Sequence, residues 1–111
     1  MKHLKDRLSA YIANHSNDLL SVSHQIHANP ELAFKEHKAC ETLTSAITDL
    51  GHSATTGSFG LDTAFESFTV NNSGPQVDIL AEYDALPGIG HACGHNPVSY
   101  THLTLPTTPY V

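Results

Sequence analysis

The feature that most constrains this chain is the run EYDALPGIGHACGHN at residues 82–96. It places two carboxylates, two histidines and a thiol among three glycines. Glycine tolerates the backbone angles of tight loops, and thiol, imidazole and carboxylate groups are the donors that bind metal ions in proteins. The run is therefore predicted to be a loop with a metal-binding or catalytic role.

Two amphipathic helices are predicted upstream of this loop. Apolar residues recur at spacings of three, four and seven from Leu4 to Ile26, which predicts one long helix that ends before Pro30. A second helix is predicted from about Lys35, and Gly51 stands where its C-terminus would need a positive φ. We expect the two helices to pair.

Two strands are predicted to follow the helices. Residues 63–70 are rich in β-formers, residues 71–75 form a turn signal, and residues 77–83 alternate between apolar and polar side chains. The second strand would deliver Asp84 to its C-terminal end, which is the edge where open α/β sheets bind ligands. An α/β fold with a site at this edge is the expectation.

The composition limits the function classes. A chain of 111 residues with 40% apolar content can form one domain or part of one. Its net charge of −6 with five Lys and Arg offers no basic patch, so we expect a small-molecule partner and neither nucleic acid nor membrane. No secretory signal or membrane span is visible, which predicts a cytoplasmic location.

Cys93 and His95 are the strongest candidates for metal ligands. In an extended segment, positions i and i+2 point to the same side, so sulfur and ring nitrogen could reach one ion, and Gly94 permits a bend. Sulfur and nitrogen suit zinc, while added carboxylates would widen the choice to manganese or cobalt. The contexts of Cys40 and Cys93 suggest reduced thiols, although their pairing stays open.

Two ligands do not complete a catalytic zinc site, which normally has three protein ligands and a water. The third could be Asp84, Glu82, His91 or a residue outside this chain. We favour a functional carboxylate at Asp84 and leave Glu82 open. His91 could be a ligand or a hydrogen-bond partner of one. Helix-end capping is the preferred interpretation of Glu31 and its neighbouring histidines.

Residues 81–96 resemble the signature of the metal-dependent amidohydrolases of metallopeptidase family twenty. More narrowly, they resemble the hippurate-hydrolase and aminoacylase-like branch, which includes the peptidase 20 domain-containing dipeptidases. Residues 24–36, HQIHANPELAFKE, are similar to the family's opening helix and its His-x-x-Pro-Glu turn. The resemblance covers about residues 15–96.

The resemblance implies that Cys93 and His95 are the first two metal ligands and that Asp84 is the supporting catalytic carboxylate. Residues 1–96 would be the N-terminal part of a mixed-sheet, zinc-peptidase-like catalytic domain, incomplete here. The full-length parent would be a homo-oligomer that uses two divalent ions, zinc or manganese, and metal-activated water to hydrolyse the amide of N-acyl amino acids or dipeptides.

The same resemblance bears on what this chain can do alone. The family adds a Glu-Glu pair and two further histidines downstream, one carboxylate serving as general base, and this chain has none of them. We therefore expect the fragment itself to be inactive. Missing neighbouring strands would also leave a sheet edge uncovered, which predicts poor solubility or partial folding.

Residues 97–111 differ in character from the rest of the chain. They contain four threonines and no charged side chain, and they show no helical period. The segment resembles translated sequencing adapter, so we expect a non-native, disordered tail.

A second class of function stays open beside the enzyme. The chain could be a complete small module that binds zinc without catalysis. That interpretation requires a closed site within these residues, for example Cys93, His95 and His91 with Asp84.

Overall fold

The computed structural model describes residues 1–69 and 73–97 of the chain. Its elements are α1 (Lys2–Asn14), α2 (Ser16–Ala28), α3 (His37–Asp49), β1 (Thr55–Thr56), a short 3-10 turn (Ser58–Gly60) and β2 (Phe65–Glu66). The mixture of helices with a two-stranded sheet is compatible with the predicted α/β class. Residues 95–97 are also helical, and the predicted tail from residue 98 onward lies outside the described residues.

The core lies between α2 and α3. Ile26 on α2 and Leu43 on α3 are 1% and 0% exposed, and both belong to one apolar cluster. The other members are Val22 and Ala39, with Leu19, Ala46, Phe65 and Tyr83 packed against them. The predicted pairing of the two helices is confirmed. Among the described residues, no helix is both long and apolar enough to cross a membrane.

The prediction of one continuous helix from Leu4 to Ile26 is wrong, because the helix breaks at His15. The His15 ring nitrogen Nδ1 donates to the Tyr11 carbonyl at 2.8 Å, and the two rings stack with centroids 4.1 Å apart. The Tyr11 carbonyl also accepts the helical hydrogen bond from the His15 N–H at 3.1 Å, so two donors share it, an arrangement that bends a helix. The resulting α1 buries none of its residues.

The predicted helix ends are confirmed. Helix α2 ends two residues before Pro30. At the end of α3, Gly51 has φ 90°, its N–H donates to the Thr48 carbonyl at 2.9 Å, and the His52 N–H donates to the Ile47 carbonyl at 3.2 Å. These two bonds form the Schellman motif, which requires the left-handed backbone that glycine adopts without strain.

Glu31 caps the N-terminus of α3 from the preceding turn. Its carboxylate accepts hydrogen bonds from the backbone N–H groups of Lys38 at 3.1 Å and Ala39 at 2.9 Å. These N–H groups have no partner inside the helix, and a carboxylate at this end also suits the helix dipole. The capping interpretation of Glu31 is confirmed.

The two predicted strands are largely absent from the described residues. The first is reduced to β2, which pairs antiparallel with β1. Residues 77–83 are not a strand, and Val77 and Leu80 are 80% and 88% exposed. Alternation favours a strand only when a neighbouring strand can accept its backbone hydrogen bonds, and residues 77–83 have no such neighbour in the part of the chain that the structure describes.

Candidate metal-binding site

Tyr83 attaches the run of residues 82–96, called the motif below, to the core. Its hydroxyl donates to the Thr63 carbonyl, and its ring stacks on Phe65 with centroids 5.9 Å apart. Burial raises the pKa of Tyr83 well above its usual value, and the neighbouring Cys40 raises it further. The phenol therefore stays neutral and remains a donor at any physiological pH, so this attachment does not depend on pH.

A parallel bridge then fixes the backbone directly after Asp84. The Ala85 N–H donates to the Glu31 carbonyl at 2.7 Å, and Ala85 pairs with Leu32. Ala85 is 3% exposed. The turn around Pro30, which the sequence singled out separately, is thus in direct contact with the start of the motif.

Asn96 fixes the other end of the motif. Its amide Nδ2 donates to the Ser23 carbonyl at 2.9 Å and to the Ser23 hydroxyl at 3.0 Å. Asn96 is 3% exposed and Ser23 8% exposed, so both hydrogen bonds are buried. The motif is therefore held at both ends against α2 and the turn that follows it, across 73 positions of sequence in the case of Asn96.

Five titratable side chains of the motif line one small cleft of about 110 Å³: Glu82, Asp84, His91, Cys93 and His95. Leu86, Gly90 and Gly94 complete its wall. All three residues that the sequence singled out as site residues, Asp84, Cys93 and His95, are thus in one place. The prediction that Asp84 lies at the end of a strand is wrong, because residues 77–83 do not form a strand.

The backbone conformation that places Cys93 and His95 at the cleft also differs from the prediction. The segment is not extended, since Gly94 has φ 71° and helical residues begin at His95. A residue with a side chain would be strained at this φ. A turn at Gly94, and not an alternating strand, therefore places both side chains at the cleft.

The Cys93 thiol is exposed and reduced, whereas Cys40 is a reduced thiol buried in the core. The Cys40–Cys93 disulfide that the sequence left open is therefore not formed. Burial raises the pKa of the Cys40 thiol. Of the two thiols, Cys93 is the one placed to meet an ion from solvent.

His95 contacts a second carboxylate of the cleft. Its ring nitrogen Nδ1 lies 3.2 Å from Oε2 of Glu82, and the side chains are 50% and 70% exposed. The sequence left the role of Glu82 open. Its contact with a predicted metal ligand is the first observation that gives this carboxylate a specific place in the site.

His91 lies deeper than His95. Burial lowers its pKa and neighbouring His27 lowers it further, while Asp84 acts in the opposite direction. The His27 and His91 rings have centroids 6.3 Å apart. The His91 Nε2 atom is buried and has no hydrogen-bond partner among the described residues. Its role as a ligand or as a partner of one stays a prediction.

The cleft does not contain a complete metal site. Within residues 1–69 and 73–97, no three His, Cys, Asp or Glu side chains are grouped so that they could hold one ion. The donor types nevertheless fit a metal at Cys93 and His95, since a thiol and an imidazole are the ligands that zinc prefers. This part of the chain thus offers two candidate ligands, Cys93 and His95, and one candidate supporting carboxylate, Asp84.

Comparison with curated proteins finds relatives among peptidases and amidohydrolases. An Xaa-Arg dipeptidase of Mus musculus is 39% identical over 105 residues, which cover 86% of this chain and 24% of the relative. The chain belongs to the amidohydrolases of metallopeptidase family twenty. Thermostable carboxypeptidase 2 of Saccharolobus solfataricus is 30% identical, with 78% of this chain and 25% of the relative covered. A p-aminobenzoyl-glutamate hydrolase chain of Escherichia coli is also 30% identical, with 68% and 19% covered.

The chain spans about a quarter of the length of the curated family-twenty relatives it matches. No family model matches it. The similarity to these relatives over 68–86% of the chain confirms the family resemblance, whereas the roles of Asp84, Cys93 and His95 stay predictions.

Sequence reasoning overlooked the Ser23–Asn96 pair. A signal was present, because Ser23 lies beside Val22 on the apolar stripe of α2, where a small polar residue needs a partner. Nothing in the sequence indicates that this partner would be Asn96.

Proposed function

We propose that this chain is part of a metal-dependent amidohydrolase that hydrolyses the amide bond of dipeptides or N-acyl amino acids. Its catalytic domain would be a mixed-sheet zinc-peptidase fold, of which residues 1–96 form the N-terminal part. The whole protein would use two divalent ions, zinc or manganese, and assemble as a homo-oligomer in the cytoplasm. The 111-residue chain alone would be inactive.

One observation carries this proposal: Asp84, Cys93 and His95 line the same cleft. The motif is held there at one end by the Ala85–Glu31 hydrogen bond and at the other by the Asn96–Ser23 hydrogen bonds. A thiol, an imidazole and a carboxylate together offer metal ligands and a group that can orient a reacting water. The family relationship with peptidases and amidohydrolases supports the same chemistry.

Each side chain has a specific role in the proposal. Cys93 and His95 would hold an ion through Sγ and a ring nitrogen, and Asp84 would act as the catalytic carboxylate that orients ligand or water in the cleft. When bound, divalent ions lower the pKa of water and polarise an amide carbonyl. The remaining ligands and the general base would come from other parts of the whole protein.

The rival interpretation, a self-contained zinc-binding module, requires a closed site. The described residues group no three potential ligands around one point, which favours the incomplete enzyme site. Cobalt(II) binding can distinguish the zinc-binding module from the incomplete enzyme site. A thiolate ligand gives bound cobalt(II) a sulfur-to-metal charge-transfer absorption that can be measured. We expect the 111-residue chain to bind cobalt(II) weakly, and Cys93→Ser and His95→Gln each to abolish that absorption.

Two control variants make the cobalt experiment specific. Cys40→Ala removes the buried thiol, and His3→Gln removes an exposed histidine on α1, so both should bind cobalt(II) as the unaltered chain does. Equal binding by the Cys93 and His95 variants would refute the metal role. Tight, stoichiometric binding would instead support the module.

Activity has to be tested on the whole protein. The genomic locus would be sequenced across the codon for Asn96, using DNA that has not passed through a transposon-based library, and the complete frame expressed. Since two relatives carry the name Xaa-Arg dipeptidase, dipeptides ending in Arg are the first substrates, followed by N-acyl amino acids. Hydrolysis should disappear with a chelator and return with zinc or manganese. A folded whole protein that cleaves neither substrate class would contradict the proposal.

A further inference from the structure

The contact between Glu82 and His95 favours one tautomer of the His95 ring. Nδ1 of His95 lies 3.2 Å from Oε2 of Glu82. An ionised carboxylate can only accept hydrogen bonds, so this contact is favourable when Nδ1 carries a hydrogen. In the neutral imidazole, Nε2 is then the nitrogen with a lone pair, and a metal ion binds a lone pair.

The position of the pair fits this role. Glu82, His95 and Cys93 line the same cleft, and of these the Glu82 carboxylate contacts the His95 ring. Tyr83, the residue after Glu82, is attached to the core through Thr63 and Phe65. The backbone that carries Glu82 is therefore fixed, which allows the carboxylate to restrict the orientation of the ring.

We infer that Glu82 is a positioning residue for His95: it holds the ring with the hydrogen on Nδ1 and so presents Nε2 to a divalent metal ion. The inference rests on the proposed metal role of His95 and deepens it, because it names the ligating atom and the group that selects it. Sequence reasoning alone left Glu82 between a role in the site and a solvated position.

A positioning role and a merely structural role of the pair predict different outcomes when Glu82 is replaced. The side chains are 70% and 50% exposed, and ion pairs this exposed contribute little to folding stability. Loss of the Glu82 carboxylate should therefore leave the fold intact while it weakens metal binding. Removing such an outer partner of a metal-bound histidine typically lowers metal affinity about 10- to 100-fold.

The first measurement needs no metal. Nitrogen-15 NMR of the 111-residue chain, at a pH where His95 is neutral, distinguishes the hydrogen on Nδ1 from the hydrogen on Nε2. We expect the Nδ1–H form in the unaltered chain and in Glu82→Gln, whose side-chain oxygen still accepts, and a loss of that preference in Glu82→Ala. An Nε2–H form in the unaltered chain, or no change in Glu82→Ala, would overturn the inference.

The second measurement is cobalt(II) titration of the same variants. We expect Glu82→Ala to bind about 10- to 100-fold more weakly and Glu82→Gln to retain most of the affinity. Glu41→Ala removes an equal charge from an exposed position of α3 and should bind like the unaltered chain. Equal losses in Glu82→Ala and Glu41→Ala would overturn the inference. If the unaltered chain binds no cobalt(II), the expected weak metal binding by Cys93 and His95 in this chain fails, and the NMR result still decides whether Glu82 positions the ring.

Discussion

Replacing Asn96 by Ala should detach one end of the motif formed by residues 82–96. The substitution removes two buried hydrogen bonds to Ser23 and leaves the Ser23 hydroxyl without that donor. At about 0.5–1.5 kcal/mol net for each bond, the attachment contributes about 1–3 kcal/mol. Since each 1.4 kcal/mol corresponds to a factor of about ten, local opening should become roughly 5- to 150-fold more frequent.

Native-state hydrogen exchange at Gly94 measures this opening, because its N–H donates to the His91 carbonyl inside the motif at 3.4 Å. Asn17→Ala, an exposed position on α2, is the matched control and should leave the exchange rate unchanged. The substitutions at Asn96 and Ser23 should also be non-additive, since they remove the same contact. Exchange at Gly94 that is no faster in Asn96→Ala than in Asn17→Ala would refute the attachment.

Three further predictions test the scaffold. Leu43→Ala should lower the free energy of unfolding by about 2–5 kcal/mol, because Leu43 is completely buried between α2 and α3. A loss below about 1 kcal/mol, measured by urea unfolding, would contradict this packing. Glu31→Ala should lower the free energy of unfolding by about 0.5–2 kcal/mol through loss of the α3 cap, whereas Glu41→Ala should leave it unchanged. Equal melting temperatures of the two variants by circular dichroism would argue against the cap. Because burial raises the pKa of the Cys40 thiol, stability should be complete below the unfolded thiol's pKa of about 8.5 and decline as pH rises above it. Urea unfolding at about pH 7 and about pH 9.5 should show this decline in Cys93→Ala and not in Cys40→Ala, and a decline of the same size in both would exclude the buried thiol as its cause.

The helices were predictable because their signals are local. The apolar periodicity of α2 and α3, Pro30 after one and Gly51 after the other each act within a few residues, and the structure follows them. The break at His15 was not predictable from periodicity, since it depends on one side chain that bonds to the carbonyl of Tyr11.

The strands failed for the opposite reason. Residues 77–83 have the alternating pattern of a strand, but a pattern does not supply the neighbour that a strand requires, and the described residues supply none. In the site, the sequence indicated Asp84, Cys93 and His95 from their chemistry. It did not indicate Asn96 or the contact of Glu82, because those depend on distances between residues that only the fold determines.

The attachment of Asn96 to Ser23 also sets an order of assembly. The residues that pair α2 with α3 lie close together in sequence, so the helix pair needs only a short loop to close, whereas Asn96 must meet a residue 73 positions earlier. During synthesis, the helix pair can thus form while the motif is still inside the ribosome, and Ser23 is already in position on α2 when Asn96 emerges. The cleft is consequently the last part of this region to form, and it forms on a surface that exists before the side chains of residues 82–96 arrive.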